Sequence, residues 1–228
     1  PAVALFFPLE IAVAMTAVVH LANNGFKLAL MGRHTNFSVL FRFGLPAVVA
    51  ALIGAWLLIQ LADLKPLFSY QVFDSELQVA PIKLVIGLLI LSFVCLELSG
   101  GLKGRSLDIK YLPFGGLVSG FFGGLSGHQG AFRSLFLLQA GLSKEAFIAT
   151  GVSLAVLVDI SRLSIYSWSI KSQTAQLDWT LIGCACLAAF LGAFIGKRLL
   201  QKITIESIQK GVSLLLLLVA IGLISGQI

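Results

Sequence analysis

An all-α integral membrane protein, an inverted repeat of transmembrane helices with re-entrant broken-helix hairpins, is the fold class that three features of the sequence predict. The chain of 228 residues is 58% hydrophobic and 11% charged, with a mean hydropathy of +0.99. An ordinary soluble domain carries roughly 25% charge. Its apolar runs recur at membrane-spanning length, and its two halves align in one register.

A spanning helix needs about 20 apolar residues. Such runs lie at Pro8 to Met31, Ser38 to Ala62, Pro81 to Ser99, Lys144 to Trp168, Asp178 to Gly196 and Ile205 to Ile224, with loops of Gly, Pro and charge between them. A seventh stretch, Tyr111 to Gly141, has 31 residues, too many for one crossing and too few for two. The polar, glycine-hinged segment GGLSGHQGAFRS, from Gly123 to Ser134, lies at its centre. Two half-helices meeting at that break fit the length.

Loop charge tests the arrangement, because cytoplasmic loops collect Lys and Arg. The loop near Arg33 and Arg42 is basic, Asp63 to Gln78 is acidic through Asp63, Asp74 and Glu76 against Lys65, and Lys103 to Lys110 is basic again. If Tyr111 to Gly141 dips in and returns, the strongest basic cluster, Lys197, Arg198 and Lys202, falls inside, and the nearly neutral Lys171 to Asp178 loop falls outside. The bias therefore favours a re-entrant hairpin. Irregular backbone at membrane depth is tolerated only where it is buried in protein or lines a wet cavity. The 16 basic residues are scattered between apolar runs and make no continuous basic face, which argues against nucleic acid. Cys95, Cys184 and Cys186 lie inside apolar runs without partner histidines at metal spacing, so they read as small core residues, and no metal or cofactor is expected.

Sliding the chain against itself by 135 positions lays EIAVAMTAVVHLANNGFKL from Glu10 over EAFIATGVSLAVLVDISRL from Glu145. Asn24 then meets Asp159, and Lys27 meets Arg162. IGAWLL from Ile53 resembles IGKRLL from Ile195, and the run from Ile82 resembles the run from Ile208. The expected organisation is a first repeat over 1–101, a cytoplasmic linker over 102–110 and a second repeat over 111–228 with its hairpin at 111–141. Under this topology the helix from Pro8 and its partner from Lys144 run in opposite directions, so the repeat is inverted. Pro1 to Phe7 overlays Phe136 to Leu142, so a glycine-rich arm mirroring Tyr111 to Leu135 is expected to precede Pro1. Inverted repeats with broken helices at their interface are a recurring plan in secondary transporters, with substrate near the midplane.

The order of these parts resembles the sulfite exporter TauE/SafE family. Its repeat opens with a glycine-rich stretch, then a short apolar arm, then a helix entering through an A-T-S-like step. Here these are GFFGGLSGHQGAF from Gly120, LFLLQAGLSKEA from Leu135 and ATGVSLAV from Ala149, with MTAVVHLANN from Met15 standing for the last step in the first half. The resemblance implies an exporter of small anions, sulfite or an organosulfonate such as sulfoacetate, in the bacterial inner membrane as a multi-pass protein. Its partners would be the anion and the lipid bilayer, with a homodimer left open. His128, Gln129 and Arg133 stand where many members have glycine and aliphatics.

An anion at the midplane needs donors that cost little reorganisation. Glycines around the break, Gly127 and Gly130 among them, expose backbone N–H groups, and the arm starting near Ala131 points its helix N-terminus back at the break. Arg133 adds a planar fork of donors. Ser126, His128, Gln129 and Asn24 complete the expected substrate contacts. Asp159 and Arg162, three apart on one helix, are expected to pair, and with His20 and Lys27 form the candidate gating or coupling set. The competing expectation for Lys27 and Arg162 is that they snorkel from helix ends; for Arg133 it is a structural pairing with Asp159. His34, in a basic loop, is expected to be solvated. Two further classes stay open. Gly124 to Gly127 spell G-x-S-G, similar to the nucleophile motif of rhomboid intramembrane proteases, with Ser126 as nucleophile and His20 or His128 as base. An anion channel is the other.

Overall fold

Helices form where the apolar runs predict them, to within a few residues. The computed structural model describes residues 3, 6–7, 9–72, 75–98, 109–169, 178–199 and 205–227. The six long helices are α1 (Leu9–Met31), α2 (Phe37–Ala62), α3 (Pro81–Leu98), α6 (Lys144–Ser169), α7 (Trp179–Leu199) and α8 (Ile205–Ile224). Between α3 and α6 lie two shorter ones, α4 (Leu112–Ser126) and α5 (Gly130–Leu137). Asp74, most of the 102–110 linker, the Lys171 to Asp178 loop before Asp178, and Lys202 lie outside the described residues.

Two structural details differ from expectation. The acidic loop after α2 contains an antiparallel hairpin of β1 (Phe68–Val72) and β2 (Ser75–Val79), registered Phe68 to Val79 and Tyr70 to Leu77. Its aromatic and branched residues suit a pleated pair. The cysteines are free and not core residues: Cys95 and Cys184 are exposed and Cys186 is half-buried, because they fall on outward faces of α3 and α7.

α2 and α6 are long and apolar enough to cross a membrane, while Pro81–Ser92, Trp179–Gly192 and Ser213–Ile224 give shorter apolar helices among the described residues. From Phe43 to Ile59 α2 is apolar all round. Val39, Phe43, Ala47, Ala51 and Leu58 are buried on one side, whereas Phe41, Leu45, Val49, Ile53 and Trp56 are exposed on the other. Such a helix needs an apolar medium on its outer face.

The chain divides into two compact units that cut across the sequence halves. One comprises 1–12, 60–103 and 187–228, and the other 13–59 and 104–186. In the first, α3 packs on α8. The Tyr70 hydroxyl donates to the Ser225 carbonyl at 2.5 Å and ties the β-hairpin to the end of α8.

The second unit holds every candidate site residue. Its core gathers Val39, Phe43, Ala47 and Ala51 of α2, Leu112 of α4, Phe136 and Leu137 of α5, and Leu154 and Val158 of α6. Gly116, Gly120 and Gly124 of α4 abut the carbonyls of Phe43, Ala47 and Ala51, so closely that any Cβ would overlap them. Both series advance by four, so α2 and α4 run parallel at backbone contact, the geometry that small residues spaced four apart permit between membrane helices. α5 then folds back along α4. Phe122 stacks on Phe132 beside the break, and Phe114 meets Phe136 edge-on further away. α6 runs antiparallel to the first segment: Asn24 bonds Asp159, Thr35 bonds Ser153, and the Asn36 amide donates to the Thr150 hydroxyl.

Candidate anion site at the helix break

α4 ends at Gly127, whose φ of 80° is the left-handed conformation that glycine adopts without strain. Its amide donates to the Gly123 carbonyl at 3.0 Å. His128 and Gln129 follow, and α5 begins at Gly130. Polar residues suit the break because the chain there has left the helical ladder, and its peptide groups need other partners. The Ser119 hydroxyl donates to the Gln129 carbonyl at 3.0 Å, closing the two arms across the turn. The first-turn amides of α5 have no intrahelical acceptor and face the break with the positive end of the helix dipole.

α6 clamps the end of α4. Arg162 donates through Nε and Nη2 to Oδ1 of Asp159 at 3.0 and 2.7 Å, while Oδ2 accepts from the Asn24 amide at 3.0 Å. Asp159 is 0% and Arg162 1% exposed. A Cβ on Gly127 would lie 2.9 Å from Nη1 of Arg162, so the guanidinium sits against the break. One turn further, the buried Tyr166 hydroxyl donates to the Gly124 carbonyl, satisfying a group at the α4 C-terminus.

This geometry corrects one expectation and fixes two others. Arg162 does not snorkel, because its head is buried against Asp159 and the break. Asp159 pairs with Arg162 as its spacing predicts, and with Asn24. Arg133 does not take Asp159 as a hydrogen-bonding partner. It lies one turn beyond Gln129 on α5, with Nε near Gly151 of α6, and its Nη1 is buried without a hydrogen-bond partner. Gln129 is 6% exposed, and its Oε1 is buried and unpartnered as well. Gly130 is exposed at the start of α5. On α1, His20 is exposed and Lys27 half-buried. His34 is exposed and accepts from Arg33 at 3.1 Å.

Ser126 and His128, the pair of the serine-protease alternative, meet at the break, and each also bonds the local backbone. The Ser126 hydroxyl donates to the Phe122 carbonyl at 3.1 Å, the usual back-bond of a helical serine. His128 Nδ1 lies 3.0 Å from the Ser126 carbonyl and 3.3 Å from the Ser126 hydroxyl; a proton on Nδ1 is donated to the carbonyl, and in that tautomer Nδ1 takes none from the serine. Tyr166, Ser119 and Asn23, whose Oδ1 is another buried orphan, are polar residues that the sequence reading did not single out. A signal for Tyr166 was present, since it lies four residues after Arg162 and seven after Asp159 on one helix face.

No curated protein and no solved structure matches the chain. The family description that does match is Sulfite exporter TauE/SafE, over residues 1–223. With that extent of match, the chain belongs to the TauE/SafE sulfite exporter family, a family of membrane transporters and not of enzymes.

Proposed function

We propose that the protein is a secondary transporter that exports a small oxyanion, sulfite or an organosulfonate, held at the break between α4 and α5. The observation that carries this reading is Arg133, a guanidinium whose Nη1 is buried without a partner one turn from the start of α5. A buried guanidinium nitrogen left without an acceptor is suited to an anion. The α5 first-turn amides and the backbone of His128 and Gly130 supply further donors, and Ser126 and Asn24 border the same break. Asp159 and Arg162, beside His20 and Lys27, form the gating set.

The re-entrant hairpin and inverted repeat belong to the same proposal. Parallel packing of α2 and α4, both entered from basic segments, with α5 returning along α4, supports a hairpin that leaves on the side it entered. The hydrogen bond from Asn24 to Asp159 joins residues 135 apart, the shift that superposes the two halves. Residues equivalent under a two-fold axis touch each other only beside that axis. This supports inverted repeats meeting at the site, with the anion near the midplane between them and the protein multi-pass in a bacterial inner membrane.

Arg133→Ala should weaken sulfite binding about tenfold to a hundredfold, the worth of a charge-assisted contact. Arg133→Lys should recover only part, since an ammonium lacks the planar fork. Calorimetry in detergent beside a thermal melt of the same sample checks this. Unchanged affinity in a well-folded Arg133→Ala protein would remove the arginine from the site, and a lowered melting temperature with intact affinity would make it scaffold.

A further inference from the structure

We infer that the site selects a monoanion that also carries a hydrogen-bond donor, the chemistry of hydrogensulfite or a hydroxyalkanesulfonate, over a dianion such as sulfoacetate. The inference rests on the anion site proposed above and narrows its substrate class. It comes from two orphan atoms of opposite character on one helix face. Gln129 and Arg133 are one turn apart, linked by the Arg133 amide donating to the Gln129 carbonyl at 3.0 Å. Their side chains run along one face of α6. A Cβ at Gly123 would lie 3.0 Å from Cβ of Gln129 and 2.9 Å from Val158, and one at Gly151 would lie 3.7 Å from Nε of Arg133. Val158 and Gly151 are seven residues apart, two turns of the same helix face.

Nη1 of Arg133 is a donor without an acceptor, and Oε1 of Gln129 is an acceptor without a donor. A fully deprotonated oxyanion satisfies the first and sets its lone pairs against the second. Leaving a buried acceptor unpaired forfeits its lost hydration without return. An anion bearing O–H or N–H satisfies both atoms at once. Charge points the same way. Asp159 neutralises Arg162, so among the described residues the buried guanidinium donor left without an acceptor beside the break is Nη1 of Arg133, which carries one positive charge. One negative charge balances it, whereas a second would be buried unpaired.

The test is binding of two isosteric probes and one dianion to the purified full chain at one pH: 2-hydroxyethanesulfonate, 1-propanesulfonate and sulfoacetate. The hydroxyl compound should bind about tenfold tighter than the methyl compound, and about tenfold tighter than sulfoacetate. In Gln129→Leu, or Gln129→Met if the first does not fold, the hydroxyl-to-methyl ratio should fall to near one. Equal binding of the two isosteres to the wild type overturns the inference, as does a ratio that survives loss of the carboxamide. Had Gln129 presented its NH2 group instead, the methyl compound would bind no worse. Failure of the underlying anion site looks different: none of the three would then bind with any dependence on Arg133.

Discussion

Asp159→Ala should destabilise the folded protein by about 3–5 kcal/mol, the cost of leaving one member of a buried ion pair without its partner. Arg162 would keep its charge at 1% exposure against the end of α4. The Asn24 amide would lose its acceptor at the same time. The stranded guanidinium sits beside Gly127, so the break itself should loosen. A thermal melt in detergent reads the loss. Asp159→Leu combined with Arg162→Leu should recover a large part of it, because removing both charges also removes the desolvation cost. A double variant no more stable than the single one would show that the ion pair is not the source of the effect.

Gly120→Leu should abolish folding or cost about 3 kcal/mol, at the upper end of overpacking effects. The added Cβ would overlap the backbone of Ala47, which is not a side chain that can swing aside. Relief would require α2 and α4 to separate along the whole Gly116, Gly120, Gly124 ladder, and the break is built on the end of that ladder. Gly183→Ala on α7 is the matched control, since nothing lies within 4 Å of its added methyl. It should be neutral or stabilising by about 0.5–1 kcal/mol through helix propensity. Normal yield and melting of the Gly120→Leu protein would contradict the close packing.

Long helices were legible because hydrophobic length is a one-dimensional property; α8 begins and ends at the predicted residues, Ile205 and Ile224. The break was legible for a related reason, since four glycines and five polar side chains interrupt an apolar run. What a helix end touches is a matter of three dimensions. Tyr166 shares a helix face with Asp159 and Arg162, but only the fold shows its hydroxyl closing the end of α4. The cysteines were misjudged for the converse reason. In a membrane chain an apolar run says that a residue avoids water, without saying whether protein or lipid surrounds it, so Cys184 is apolar and exposed together. The Asp159–Arg162 pair followed from spacing three apart, whereas the burial that sets its energetic weight did not.

Exchange of labelled sulfite across proteoliposomes containing the purified chain tests the central claim, an anion carried by a saturable site at the α4–α5 break, most directly. Loss of internal labelled sulfite should saturate with concentration and accelerate when unlabelled sulfite is present outside, because a carrier returns faster loaded than empty. Arg133→Ala should remove most of that stimulation at substrate concentrations near the wild-type affinity. Flux that rises linearly with sulfite, ignores sulfite on the far side and is equal in wild type and Arg133→Ala would contradict the account and assign the chain a channel-like passage that does not use this arginine.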